Sequence, residues 1–430
     1  MSGAWLLFAF FAMMLLGVPL YASLTMAGLL GILGTGNMSL LRIIPQQFFG
    51  GMDSFTLMAI PFFIFTGSLM NRSGLTDRLL DLSRLLVGPV RGALGYVNVV
   101  GSVIFAGVNG SAAADASALG AILIPAMVKD GFPASYAAGI TAGSSLIGPM
   151  IPPSIFMIIY ASMTNTSIGG LFAAGLLPGV VLAAMFLAMN RFYVRKFNVP
   201  KTDMAEVRGR MWSILGRSAL ALLAPCIIMC GIMTGIVTPT ESGALAAAYC
   251  VFVGAFLTKR LTPRELFAAM GETVRMSSAI FLIMGAASVV GWYMKWVRVT
   301  QAFSAAITSA GLIDHPWALM VVLSAIIFVI GMFMEEISVL TLLTPVFAPL
   351  AVKAGIDPFH FGIVMTLNVT IALITPPVGA CNYIVAAIGK VPLGEMFRRI
   401  WPFVAVAFAT LLIVISVPAC TTFLPHAMGF

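Results

Sequence analysis

Long apolar blocks recur along nearly the whole chain and are separated by short polar stretches. Several blocks reach the ~20 residues that a transmembrane helix needs, whereas a transmembrane β-barrel would show alternation over ~10-residue segments. The pattern predicts two helices within residues 4–34 and a third at 54–71. The leucines of residues 75–88 recur at helical spacing, but this segment is too short and too charged to span, so we expect it to lie in the membrane interface.

The next part of the chain contains two interruptions of its apolar pattern. Residues 93–126 are weakly apolar and are interrupted at 107–111, which predicts a re-entrant hairpin. A helix that begins at 134 is broken at 148–153 and resumes to about 165. A span at 176–190 then leads into a basic loop.

The second half of the chain repeats the first. A shift of 224 residues aligns much of the two halves without gaps, and the pair Pro152-Pro153 then meets Pro376-Pro377, together with several glycines and a lysine. Because the backbone roles of glycine and proline are hard to replace, we interpret the matches as an internal duplication rather than as chance. The duplication predicts a second hairpin at 317–351 and a second broken helix at 358–389.

Charge indicates how the two copies are oriented. Residues 72–91 carry four arginines, whereas the aligned residues 296–315 carry one. Because basic loops stay in the cytoplasm, corresponding loops are expected on opposite sides of the membrane, which is typical of the inverted-topology repeats of transporters. We therefore expect first-copy scaffold helices and an interfacial arm at 1–92, first-copy transport elements at 93–175, the last first-copy span with a basic cytoplasmic loop at 176–218, second-copy scaffold helices and arm at 219–316, second-copy transport elements at 317–400 and a last span at 401–430.

The composition and the absence of certain motifs argue against several classes of function. Hydrophobic residues make up 60% of the 430 residues and charged residues 9%, which is too few charges for a water-soluble fold. The net charge of +8 is spread over loops and helix ends, so we expect membrane lipid and no nucleic acid as a partner. The sequence has no HExxH, GxSxG or phosphate-binding lysine loop, which argues against an enzyme and against transport powered by ATP on this chain.

The candidate chemistry lies at the two helix breaks and the two hairpin tips. Proline inside a helix frees backbone carbonyls, and carbonyls at membrane depth must be satisfied by protein or by a polar cavity. Unwound carbonyls beside hydroxyls suit a small hard cation. The tips are Asn109-Gly110-Ser111 and Met334-Glu335-Glu336, and a charge at the bilayer centre is a functional hypothesis by default. The alternatives are simple packing kinks and glutamates solvated at the interface.

Further polar residues near these points are candidates for a substrate cavity, although polar side chains in a helix can also simply bond to neighbouring helices. The candidates are Gly110, Asp115, Ser144, Ser145, Ser154, Glu336, Asn368, Thr370 and Gly379. At Thr238-Pro239-Thr240-Glu241 we expect a structural helix cap rather than a binding site.

These motifs resemble the large membrane subunit of TRAP transporters, the tripartite ATP-independent periplasmic family. The segments that carry the resemblance are GVNGSAAADASALGAILIPAM from Gly107, GSSLIGPMIPPSIFMIIYA from Gly143, LFAAGLLPG from Leu171, TPTESGA from Thr238, GIDPFHFGIV from Gly355 and ITPPVGA from Ile374. Together they are specific, and the resemblance extends over essentially the whole chain.

The resemblance implies an elevator-type transporter of the bacterial inner membrane, in which a mobile domain with two hairpins moves against a scaffold. It implies a separate small membrane subunit of four helices, a periplasmic solute-binding protein, and uptake of an organic acid, often a carboxylate, driven by sodium ions. No other cofactor is implied. It also implies two sodium sites, one of Asn109, Ser111 and carbonyls near Gly148, Ile151 and Pro152, and one of Glu335 and carbonyls near Ala372, Thr375 and Pro376.

Two residues depart from the pattern of the family. Serine is expected more often than Asn109, and aspartate more often than Glu335, although both replacements keep an oxygen ligand. Glu335 also leaves proton coupling open at the second site. A stand-alone ion-coupled anion carrier or antiporter of similar fold is the main alternative, and an intramembrane enzyme or scaffold is a more distant one.

Overall fold

Helices make up the fold, as the apolar pattern predicts. The computed structural model describes residues 10, 12–14, 16–197, 199 and 211–430. The first-copy helices are α1 (Leu20–Leu33), α2 (Ile43–Gly50), α3 (Ala59–Arg72), α4 (Leu75–Val87), α5 (Ala93–Asn109), α6 (Ala112–Lys129), α7 (Ala134–Ser145), α8 (Ile155–Thr164) and α9 (Ile168–Phe197). The second-copy helices are α10 (Met211–Met233), α11 (Pro239–Phe252), α12 (Pro263–Trp296), α13 (Val299–Ser309), α14 (Pro316–Gly331), α15 (Glu336–Lys353), α16 (Pro358–Ala372), α17 (Ala380–Gly389), α18 (Leu393–Arg399), α19 (Trp401–Ser416) and α20 (Ala419–Ala427).

The helix bounds confirm the internal duplication. α6 begins at Ala112 and α15 at Glu336, so the offset is 336 − 112 = 224, and the two helices end at the same offset. Helices lie at the positions predicted for the arm, the two hairpins and both broken helices. Within the described part of the chain, seven helices are long and apolar enough to span a membrane, or eight if the helical segments 38–50 and 55–72, bent by 49°, form one span.

Helix starts are set by local capping chemistry. Side-chain oxygens at the N-cap accept backbone N–H groups that have no partner within the helix. Ser154 accepts from the N–H of Met157 at the start of α8, and Asp357 accepts from two N–H groups at the start of α16. Thr238 and Glu241 form a reciprocal capping box on α11, which confirms the expected cap.

Two features differ from the sequence prediction, and a third prediction lies partly outside the described residues. Residues 38–50 are helical, although no element was expected between the first helices and 54–71. α9 begins at Ile168 rather than 176, so the expected boundary at 175 lies inside a continuous helix. Its early start is possible because glycines let it approach its neighbours, as at Gly175, where a Cβ would lie 2.5 Å from the carbonyl oxygen of Met150. The basic loop expected up to residue 217 lies partly outside the described residues.

The helices pack in two groups. In the first group, α12 packs against α1, α2 and α3, while α11 packs against α3 and α10. In the second group, hairpins and broken helices of both copies interlock, since α17 of the second copy packs against α6 and α7, and α8 of the first copy packs against α15. The arm α4 packs against both α10 and α5, and therefore connects the two groups.

Candidate functional site

The first hairpin tip lies directly against the first helix break. Gly110 joins α5 to α6 with φ of 57°, a left-handed conformation that glycine adopts without a steric cost. A Cβ at this position would lie 2.4 Å from the carbonyl oxygen of Pro153 and 3.1 Å from the Cα of Ser154. The contact explains why the tip carries a glycine, and it brings Ser111 and the break together as the sequence predicts.

Several backbone carbonyls at the two breaks have no donor among the described residues, whereas that of Pro377 accepts from the Tyr383 hydroxyl at 3.2 Å. The carbonyl oxygens of Gly148, Ile151 and Pro152 accept no hydrogen bond from any described residue, and neither do those of Thr375 and Pro376. Ala372 differs, because its carbonyl oxygen accepts the N–H of Thr375 at 3.1 Å. Gly148, Pro152 and Thr375 are buried, whereas Ile151 and Pro376 are half-buried. Because buried carbonyls are nearly always paired in proteins, unpaired ones at two equivalent places form an unusual concentration of electronegative oxygens.

Two side-chain groups of α6 add oxygens to the first break. Ser111 is the N-cap of α6, yet its hydroxyl caps no N–H group of the helix. Asp115, one turn later, is fully buried, and neither of its carboxyl oxygens has a partner among the described residues. Its Oδ2 lies 2.5 Å from the position of a Cβ on Gly148, so the carboxyl group faces the break. The side chain of Asn109 lies outside the described atoms.

The second tip is more acidic than the first. Glu335 is the N-cap of α15, and its exposed carboxylate accepts from the N–H and the hydroxyl of Ser338, both at 3.3 Å. Glu336 is buried, and its Oε2 has no partner in the described structure. Gly331, at the end of α14, lies beside Ala372, whose Cβ would be 2.8 Å from a Cβ on the glycine. The second tip is thus also placed beside its break.

The two halves of the site meet at Cys381, which the sequence analysis did not single out. The hydroxyl of Ser145 on α7 lies 3.9 Å from the Cys381 thiol on α17. The backbone N–H of Cys381 donates to the carbonyl oxygen of Leu373, beside the second break, at 3.1 Å. One residue of the second copy therefore lies within reach of polar groups from both copies. Sequence alone gives no signal for this, because cysteine in an apolar segment is usually a small core residue.

The residues predicted to line a substrate cavity are mostly buried and locally bonded. Ser144 donates to Asn98 at 2.8 Å, and Asn98 donates to Thr141, so Asn98 is a further polar residue that the prediction missed. Thr370 donates to the carbonyl of Thr366, whereas both side-chain polar atoms of Asn368 lack a described partner. Gly110, Ser154 and Gly379 are buried at the tip and the breaks. Their role in substrate binding stays a prediction.

A large cavity lies between the two groups of helices. It has a volume of about 840 Å³ and opens between α2 and α12 on one side and α8 and α15 on the other. Its polar lining includes Gln47, Asp53, Asn165, Ser288 and Lys295. None of the nine predicted cavity residues lines it in this conformation. The sequence analysis missed it because its lining comes from four separate segments. Among the described residues, His, Cys, Asp and Glu form no group of three that could hold a metal ion.

Comparison with known proteins agrees with this architecture. Residues 7–420 match the model of the DctM component of the tripartite ATP-independent periplasmic transporters. The sialic acid TRAP transporter large permease protein SiaM of Vibrio cholerae is 35% identical over 98% of this chain and 97% of its own. The C4-dicarboxylate TRAP transporter large permease protein DctM of Rhodobacter capsulatus is 33% identical over 97% of each chain. The sialic acid TRAP transporter permease protein SiaT of Haemophilus influenzae is 35% identical, and 67% of its length is covered.

A solved structure has the same fold. The YdaH transporter of Alcanivorax borkumensis superposes with a TM-score of 0.65 over 90% of both chains at 13% identity. The family model and the relatives describe a transport family rather than a family of enzymes. The chain belongs to the DctM family of TRAP transporter large permease subunits, multi-pass secondary transporters of the bacterial inner membrane.

Proposed function

We propose that this chain imports an organic acid, driven by a sodium gradient and supplied by a periplasmic solute-binding protein. Two sodium ions bind where each hairpin tip meets its break. The first site uses Asn109 and Ser111 with the carbonyls of Gly148, Ile151 and Pro152. The second site uses Glu335 with the carbonyls of Ala372, Thr375 and Pro376.

The observation that carries the proposal is the set of carbonyl oxygens without donors at both breaks. Such oxygens are expensive inside a membrane unless a ligand satisfies them. A small hard cation is the ligand that unwound carbonyls and hydroxyls suit best. Ser111, whose hydroxyl caps no N–H group of α6, follows Gly110, which contacts the first break, and Glu335 caps α15 at the second tip.

The substrate class follows from the relatives and from the large cavity. The named relatives carry sialic acid, C4-dicarboxylates, 2,3-diketo-L-gulonate and isethionate, which are all organic anions. Among the described residues that line the cavity of about 840 Å³, Lys295 is the one that is basic. A lysine ammonium at the mouth of a mixed polar cavity attracts a carboxylate. We propose that this cavity is the route by which the substrate reaches the tips.

Two partners complete the proposal. TRAP large permease subunits work with a small membrane subunit and a periplasmic binding protein. SiaT extends beyond the part that this chain covers, since one third of its length is unmatched, which leaves room in that relative for a further component. We propose that the small subunit has four helices, and that the group formed by α5–α8 and α14–α17 moves against the scaffold as an elevator.

Uptake into proteoliposomes tests the proposal. The chain and its small subunit are reconstituted, and uptake of a carboxylate is measured with and without a sodium gradient and the binding protein. We expect uptake to need both. Ser111→Ala and Glu335→Gln should each raise the sodium concentration for half-maximal uptake, while Ser39→Ala, an exposed serine far from the tips, should leave it unchanged. Uptake without the binding protein, or driven by protons alone, would instead establish a stand-alone carrier.

A further inference from the structure

A second groove is lined by three arginines. It has a volume of about 760 Å³ and lies where the arm α4 passes into α5, beside α9. Aliphatic side chains form the floor of the groove, and exposed arginine side chains lie along its edge. The lining consists of Leu86, Val87, Val90, Arg91, Tyr96, Val100, Leu187, Ala188, Arg191, Val194 and Arg195. Its described lining therefore combines an apolar body with three guanidinium groups and contains no carboxylate.

The three arginines differ in their partners from several other arginines of the chain. Arg72 pairs with Glu265 and Glu272, Arg84 pairs with Asp81, and Arg260 pairs with Asp77. Arg91, Arg191 and Arg195 are exposed, and none of them has an acidic partner in the part of the chain that the structure describes. Arg191 and Arg195 are one helical turn apart on α9, so both lie on the face that Arg91 approaches from the α4–α5 joint.

We propose that this groove binds one anionic phospholipid, with the phosphate among Arg91, Arg191 and Arg195 and an acyl chain along the apolar floor. The combination decides the class of ligand. A site for a small free anion would require only the arginines. A surface that merely faces lipid would require only the apolar floor. Only an anionic lipid uses both. Arginine suits phosphate because its planar donors match the phosphate oxygens, and basic side chains near a membrane attract anionic lipid.

The position of the groove suggests that a bound lipid holds the joint between α4 and α5 against α9. The α4–α5 joint packs closely on α9, since a Cβ on Gly92 would lie 2.5 Å from Cγ2 of Val194 and a Cβ on Gly95 2.2 Å from Oδ1 of Asn190. The arm meets the first hairpin at this joint. A lipid that bridges Arg91 to Arg191 and Arg195 therefore fastens the joint to α9, and its headgroup chemistry sets how firmly the joint is held.

Lipid binding to the purified full chain with its small subunit tests the inference. Native mass spectrometry and thermal unfolding in neutral detergent are followed during titration with phosphatidylglycerol, with phosphatidylcholine and with inorganic phosphate. We expect saturable binding of phosphatidylglycerol, which weakens about fivefold for each arginine changed to glutamine and on the order of a hundredfold for Arg91→Gln, Arg191→Gln and Arg195→Gln together. A matched control, Arg398→Gln with Arg399→Gln, should bind like the wild type.

A second variant separates the apolar floor from the charges. Ala188 is exposed in the groove, so Ala188→Trp fills the space of the acyl chain with all three arginines intact. We expect it to abolish binding of phosphatidylglycerol while the unfolding temperature without lipid stays unchanged. Equal binding of inorganic phosphate, or of phosphatidylcholine, would overturn the inference, as would unaltered binding of phosphatidylglycerol by the triple arginine variant.

Discussion

Gly110 is the residue at which the hairpin and the break depend most directly on each other. Alanine there would meet the carbonyl oxygen of Pro153 at 2.4 Å and would also need φ of 57°. The left-handed conformation alone costs a residue with a Cβ about 1–2 kcal/mol. We expect Gly110→Ala to lower the free energy of unfolding by more than this amount, as measured by thermal unfolding, and to abolish sodium-dependent uptake. Gly235→Ala is the control, because Gly235 has φ of 70° but nothing within 4 Å of a Cβ.

Lys295 offers a test of the substrate route. Its side chain is exposed in the large cavity. Its attraction for the carboxylate of a substrate is therefore worth about 1 kcal/mol. We expect Lys295→Gln to raise the KM for an anionic substrate by about fivefold at low salt, to leave the sodium dependence unchanged and to lose its effect at high ionic strength. Lys353→Gln, at the end of α15, should behave like the wild type. An unchanged KM for Lys295→Glu would exclude this lysine from the route.

Residues with a backbone role were the easiest to find from sequence. The double prolines and the glycine at the first tip mark places where a regular helix cannot continue, and both breaks and both tips lie there. Asn98 and Cys381 could not be found in this way, because their partners come from helices more than 40 residues distant, as with Ser144 and Ser145. Their importance depends on packing that no local pattern records.

At the scale of single elements, α11 starts with chemistry that is local to four residues. The side chain of Thr238 accepts from the N–H of Glu241, and the Glu241 carboxylate accepts from the N–H of Thr238 at 2.8 Å. We expect Thr238→Ala to cost about 1 kcal/mol of stability and Thr238→Ser to cost little, with sodium-dependent uptake per folded protein unchanged in both. Thermal unfolding and uptake measured on the same preparation check this. Altered sodium dependence would give the segment a binding role instead.

The elements that the sequence analysis missed have a common cause. Residues 38–50 hold a short helix and a 3-10 turn, and α2 packs against α12 of the other copy. α9 starts eight residues earlier than predicted, at Ile168 instead of 176, because close contacts with distant aromatic and aliphatic side chains stabilise its glycine-rich first turns. In both cases tertiary packing overrides a weak local preference for helix.

At the scale of the whole molecule, the proposed elevator motion needs the two groups of helices to separate. Ser54, before α3, and Ser162, on α8, approach across the cavity with their hydroxyl oxygens 3.3 Å apart. Cysteines at both positions are within disulfide reach. In a background without the exposed Cys226 and Cys230, we expect oxidation of this pair to stop uptake and reduction to restore it.

The matched control for this cross-link lies within one group. The hydroxyls of Thr164 and Thr166 are 2.8 Å apart at the end of α8, and both line the same cavity. A disulfide there ties α8 only to its own continuation. Oxidation of the Thr164→Cys, Thr166→Cys pair should leave uptake intact. If the Ser54–Ser162 cross-link is also harmless, the two groups do not move past each other at this point.

The interlocking of α17 with α6 and α7 has a consequence for biosynthesis. The ribosome completes α6 at Lys129 and must add residues 130–379, a further 250, before α17 begins at Ala380. At 5–20 residues per second this takes about 10–50 s. During that interval Asp115 and Ser145 lack the helix that covers them in the finished protein. The helices around the proposed first sodium site therefore gain their partner α17 only as residues 380–389 are made, and a nascent chain that stops earlier presents an unfinished membrane domain to quality control.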